Sequence, residues 1–198
     1  TVLRTTKKWQ CVIIQHRNCF RFKEGLTLKI RRDKMKKAVI ILLVAFFALS
    51  TVFSTAYISV NDLDAEKVTE TKDFDGVVFV ATPDKHMTIE MLDDGREAED
   101  GEVFNGRIKL EGSGKSTQRA IKFDAVKGEV LKVYLNSSSK TEARTLVVAD
   151  STGAQIGAIT APVDGGEVGI GTLEIPSDGS FFLWSKKSGI NIYMIIVE

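Results

Sequence analysis

Three segments decide the fold: Phe104-Asn105-Gly106-Arg107-Ile108-Lys109-Leu110, then Arg119-Ala120-Ile121-Lys122-Phe123, then Leu131-Lys132-Val133-Tyr134-Leu135. Each alternates apolar with polar residues. Successive side chains of a β-strand point to opposite faces, so a period of two marks a strand with one buried face. Ile108 and Leu110 then face a core and leave Arg107 and Lys109 outside. By the same parity Lys122, Lys132 and Tyr134 face outward. Ile190-Asn191-Ile192-Tyr193-Met194 repeats the pattern near the C-terminus, with Asn191 and Tyr193 outward and a core row Ile190, Ile192, Met194 and Ile196.

Working outward, strands are predicted at 77–81, 87–92, 104–110, 119–125, 130–136, 145–150, 155–160, 169–175, 180–185 and 190–197. Turn dipeptides rich in Gly, Asp, Ser and Pro separate them, such as Asp94-Gly95, Lys127-Gly128 and Ser188-Gly189. Short strands at about ten-residue spacing, with no helical stripe, imply an all-β fold. The expected form is an antiparallel two-sheet β-sandwich, jelly-roll-like, over residues 76–198. Trp184 follows Phe181, Phe182 and Leu183 and reads as core, with a sugar-stacking platform as the alternative use of an amphipathic ring. The acidic, polar stretch 57–75 reads as a flexible lead-in.

Upstream of it, Lys36 and Lys37 precede an apolar run from Ala38 to Leu49, and Ser54 and Ala56 offer a small-residue exit. This is the anatomy of a secretory signal peptide over 35–56, expected to form a helix preceding the sandwich. The run is short for a membrane span, which needs about 20 apolar residues. Contact with a membrane is therefore expected only through the signal or an uncleaved anchor. The first 34 residues hold ten Lys or Arg against Glu24 and Asp33, and both cysteines, Cys11 and Cys19. Arg31-Arg32-Asp33-Lys34 before Met35 can be encoded by a bacterial ribosome-binding sequence at sensible spacing. Residues 1–34 thus read as translated upstream DNA, with Met35 as the start. The protein is expected to be secreted or at the cell surface.

After Ala56 the chain has fifteen Lys or Arg against twenty-four Asp or Glu, a net charge of −9. That balance argues against nucleic-acid binding. Catalysis needs a base, a nucleophile or a metal cage. This part of the chain has one histidine, His86, in a turn, and no cysteine. No enzymatic role is expected. Asp93, Asp94, Glu97, Glu99, Asp100 and Glu102 would offer oxygen ligands to a structural Ca²⁺. They lack the spaced ladder of a calcium loop and read as solvated; no cofactor is expected.

The segments quoted above, together with Val133-Tyr134-Leu135-Asn136-Ser137-Ser138-Ser139, Arg144-Thr145-Leu146 and Ser188-Gly189-Ile190-Asn191-Ile192-Tyr193, follow one another in an order that resembles a known family. It is the β-sandwich carbohydrate-binding module attached to bacterial pectate lyases. The resemblance covers about residues 74–197. It implies a non-catalytic domain that holds an acidic plant polysaccharide, de-esterified pectin (homogalacturonan), through basic side chains. The basic role passes to Arg107, Lys109, Arg119, Lys122 and Arg144, with Asn191 and Tyr193 from the last motif. Lys132 and Tyr134 join by strand parity, with Tyr134 or Tyr193 underlying a sugar ring and Asn191 bonding its hydroxyls. Arg119 has core parity, and Arg119 and Arg144 suit cross-strand ion pairs equally well. The alternative is a cell-surface structural or adhesion sandwich that binds a protein partner. Expressed with its signal in a bacterium, the chain should mature to an N-terminus at Tyr57; N-terminal sequencing that finds the apolar run intact would instead indicate an anchor.

Overall fold

The computed structural model describes residues 56–198; the leader, and the signal helix expected within 35–56, lie outside the described residues except for Ala56. In chain order the strands are β1 (Tyr57–Ser59), β2 (Glu66–Val68), β3 (Lys72–Phe74), β4 (Val77–Val80), β5 (Met87–Glu97), β6 (Val103–Leu110) and β7 (Ala120–Ala125). Then come β8 (Val130–Ser137), β9 (Arg144–Ala149), β10 (Gln155–Ala161), β11 (Gly169–Glu174), β12 (Gly179–Ser185) and β13 (Ile190–Val197). The ten strands predicted from alternation are present, within a few residues of their expected ends.

The strands form two antiparallel sheets. One runs β11-β8-β13-β6-β5-β2, with β1 also paired to β13; the other runs β10-β9-β12-β7-β4-β3. Ile108, Leu135 and Ile192 from the first sheet and Phe79, Phe123, Leu146 and Leu183 from the second belong to one buried cluster. This is the expected all-β, two-sheet sandwich, with each sheet contributing one apolar face.

Residues 57–75, expected as a flexible lead-in, instead supply β1, β2, β3 and a 3-10 turn at Val60–Asp62. Val60 is fully buried. It fits because Gly106 has no side chain: a Cβ there would lie 3.0 Å from Val60 Cγ2. The acidic composition of the segment hid three short pairings: β1 and β2 pair with β13 and β5 farther along the chain, and β3 with the adjacent β4.

β13 also departs from simple alternation. Its pairing with β8 slips between Ile192 and Met194, so an extra residue, Tyr193, sits in a β-bulge. A bulge shifts parity downstream. Ile195 and Val197 therefore continue the core row of Ile190 and Ile192, opposite Val133 and Leu131. Met194 and Ile196 stand opposite Tyr134 and Lys132 on the other face. Of the expected row, Ile190, Ile192 and Met194 are buried, but Met194 and Ile196 leave the face of the first two and Ile196 is only part-buried. Trp184, expected in the core, alternates with buried Phe181 and Leu183 and lies half-buried on the outer face of the second sheet, opposite Val147. Ile195→Ala should cost about 2–5 kcal/mol, as large-to-small core changes do, and Ile196→Ala clearly less. Denaturant unfolding that gave the reverse order would remove the bulge.

Candidate functional site

On the outer face of the first sheet, four strands align Thr88, Lys109, Asn191 and Asn136 in one row across β5, β6, β13 and β8. Glu90 and Arg107 stand beside it in the next row. Alternation in β6 produces this arrangement: Ile108 and Leu110 take the core, and the two cations between them face out. Above the row opens a cleft of about 510 Å³. Its floor includes Arg107, Lys109 and Asn191; Ser138, Arg144, Ser188 and Gly189 line it, with the carboxylates of Glu111 and Asp164.

Asn191 is 1% exposed. Its Nδ2 donates to Asn136 Oδ1 at 2.9 Å. The Tyr193 hydroxyl donates to the same oxygen at 3.3 Å, which the bulge makes possible. Asn191 Oδ1 is left buried without a partner. So are Arg107 Nε and Arg144 Nε. A buried polar atom without a hydrogen bond costs about 1–3 kcal/mol, so such atoms mark where an outside group fits.

Arg144 Nη1 donates to Ser138 Oγ and to the Gly189 carbonyl. Gly189 has no room for a side chain, since a Cβ would lie 2.7 Å from Ser138 Oγ and 3.4 Å from Arg144 Nη1. Arg107 and Lys109 share Glu90, at 2.9 and 3.0 Å. Burial alone would raise the Glu90 carboxyl, but the bonds from Lys109 and Arg107 outweigh it and hold the group below its ordinary value. At the cleft rim Glu111 Oε2 lies 2.8 Å from His86 Nε2, and Glu111 Oε1 accepts from Thr88 Oγ1. Burial again pushes upward, yet Thr88 and His86 leave Glu111 below the usual glutamate range.

The cleft thus gathers Arg107, Lys109, Arg144 and Asn191 from the sequence-derived set. The others lie elsewhere. Lys122 is on β7 of the second sheet, opposite Val78 and Phe182, so it cannot share a face with Lys109. Arg119 is 7% exposed, at a left-handed φ of 50°, and donates from Nε to the His86 carbonyl and from Nη1 to the Ser113 carbonyl. It ties loops together, as its core parity warned. Lys132 Nζ and the Tyr134 hydroxyl both donate to Asp100, at 3.0 and 2.6 Å. Those two bonds hold Asp100 below the usual aspartate range.

Tyr134 and Tyr193 are on the expected face, but neither ring is open to solvent; they are 2% and 0% exposed. Phe104 packs on both, with centroids 5.4 and 5.5 Å away. The β5–β6 turn, carrying Asp100, covers that end of the sheet. These rings are wall, not platform. Sequence reasoning missed Ser138 and Gly189 as cleft residues, although both fall in the quoted motifs, and missed the rim pair Glu111 and Asp164. Among the described residues no group of His, Cys, Asp or Glu converges as a metal site.

No protein-family model matches the chain, and no curated protein matches it. Solved structures similar to it include the CBM51-2 and INT domains from Clostridium perfringens ZmpB (TM-score 0.37, 9% identity), where 72% of this chain is covered and it spans 32% of the other. CsCBM6-3 from Clostridium stercorarium in complex with cellobiose gives TM-score 0.38 and 10% identity, over 72% of this chain and 92% of that one. A family 35 carbohydrate-binding module from Clostridium thermocellum gives TM-score 0.42 and 11% identity, over 73% and 97%.

The shared ion pair has a pH consequence. The folded Glu90 carboxyl lies below its unfolded value of about 4.3, so its contribution is present above that value and is lost as pH falls through the folded one. Glu90→Gln should be less stable than the wild type at pH 6, and the gap should close on acidification. Urea unfolding at pH 6 and pH 3 checks this; a gap that widens in acid would refute the assignment.

Proposed function

We propose that this is an exported, non-catalytic carbohydrate-binding domain for an acidic polysaccharide, with de-esterified pectin (homogalacturonan) as its ligand. The observation that carries the reading is the unpartnered, buried Asn191 Oδ1 in a cleft lined by Arg107, Lys109 and Arg144. A galacturonate unit complements that set. Its ring hydroxyls can donate to Asn191 Oδ1, and its carboxylate can accept from the cations. Arginine offers a two-pronged match to a carboxylate and lysine a point charge.

Arg144 is the strongest anchor. It has no carboxylate partner among the described ion pairs, whereas Arg107 and Lys109 each share Glu90. The order of motifs, which resembles that of pectin-binding modules, supports the same ligand class. A hydrolytic role is disfavoured because the cleft carboxylate of Glu111 is held ionised by its neighbours and makes a poor proton donor at neutral pH. The apolar run before Ala56 supports export.

Calorimetric titration tests the reading. De-esterified oligogalacturonate should bind and the methyl-esterified form should bind worse. Affinity should fall between 0.1 and 1 M salt, as the Debye length shrinks from about 10 to about 3 Å. Arg144→Lys should weaken binding about tenfold or more, the order expected when a charged hydrogen-bond pair is degraded. Lys132→Ala, outside the cleft, should leave affinity unchanged. Equal affinity for the esterified and de-esterified forms would overturn the reading.

A further inference from the structure

Arg144 belongs to two hollows. Beyond the first cleft, and sharing Arg144 and Ser188 with it, lies a second of about 310 Å³, lined also by Glu142, Thr145, Lys186 and Lys187. We propose that this second hollow is a further binding subsite, in which Lys186 and Lys187 take the next carboxylate of a ligand that runs out of the first cleft across Arg144. The inference rests on the acidic-polysaccharide reading and extends it. The site would then recognise an oligomer with at least two regularly spaced carboxylates, not a single uronate.

Three observations carry it. The turn bearing the lysines is held in place: the Lys186 amide donates to the Thr145 carbonyl at 3.0 Å, Gly114 N–H donates to the Ser185 carbonyl at 3.0 Å, and Ser185 Oγ donates to the Ser188 carbonyl. Both lysine side chains are exposed, and neither is in an ion pair among the described residues. Adjacent in sequence and close to Arg144, they place three cations around one hollow. The third, Arg144, is fixed by the Gly189 carbonyl of the same turn, so the two hollows keep one relative position. A polyanion with one carboxylate per sugar can meet cations along such a path. A neutral chain or a lone acidic sugar gains nothing from the second hollow.

The test is a length series of oligogalacturonates, from one to six units, titrated at low salt into the wild type and the Lys186→Ala/Lys187→Ala variant. Both lysines are exposed, so the melting temperature should not change. Wild-type affinity should rise with length by about three- to tenfold beyond what the added statistical ends give, the order expected of one or two exposed ion pairs. The double variant should match the wild type on the shortest ligand that binds and lose that rise. A variant that keeps the full rise overturns the subsite while leaving the first cleft standing, as Arg144→Lys would still weaken binding. Wild-type protein that binds none of the series overturns both.

Discussion

Asn136 Oδ1 holds the outer face of the first sheet together. Three large polar side chains, Asn136, Asn191 and Tyr193, are almost completely buried there. Burial of such groups is tolerated only when their hydrogen bonds are made. Asn136 accepts from both of the others and also donates to Asp164 and to the Glu167 carbonyl, which fastens the segment before β11. The bulge at Tyr193 is what lets Asn191 and Tyr193 reach the same oxygen. The network saturates every member except Asn191 Oδ1, a buried atom of a residue that lines the cleft beside the cations. A structural arrangement and a recognition feature are therefore one arrangement.

The charge of the domain is managed locally. Its overall acidity would repel a polyanion, and most outward cations of the first sheet are already engaged: Lys132 by Asp100, Arg96 by Asp164, Arg107 and Lys109 by Glu90. What differs at the cleft is that two cations share one carboxylate and a third has none. With Glu111 and Asp164 also on its walls, the cleft is near charge balance where the domain as a whole is acidic. Screening by salt acts over about 10 Å at moderate ionic strength, so a ligand in the cleft senses this neighbourhood more than the distant acidic loops.

Sequence period revealed which strands exist and which way β6 faces, because apolar burial acts within each strand. Arg107 and Lys109 were legible for that reason. Lys122 obeys the same parity yet lies on the other sheet, since alternation assigns a face without assigning a neighbour. Tyr134 and Tyr193 point outward as expected and are buried all the same, because Phe104 and Asp100 arrive from a hairpin distant in the chain. Arg144 suited a ligand or an ion pair equally well in sequence; its bonds to Ser138 and Gly189 are neither, and they exist only once β8, β9 and β13 are assembled. Only the half of β13 before the bulge could be read by counting, as nothing in Ile-Tyr-Met announces an inserted residue.

The side chain of Asn61 has a consequence for how molecules of this protein meet. β6 pairs with β13 over Ile108–Leu110, and β13 turns to β1 farther along, so the sheet divides. At the division Asn61 Nδ2 donates to the Val103 carbonyl, and Asn61 Oδ1 accepts from the Asn105 N–H, both at 2.9 Å. One amide group thereby imitates the residue of a neighbouring strand. Backbone that would otherwise offer a vacant donor and acceptor to another chain is already occupied. Unpaired strand edges are templates for self-association, and here a single side chain closes one at the point where the sheet would otherwise be open to a second copy.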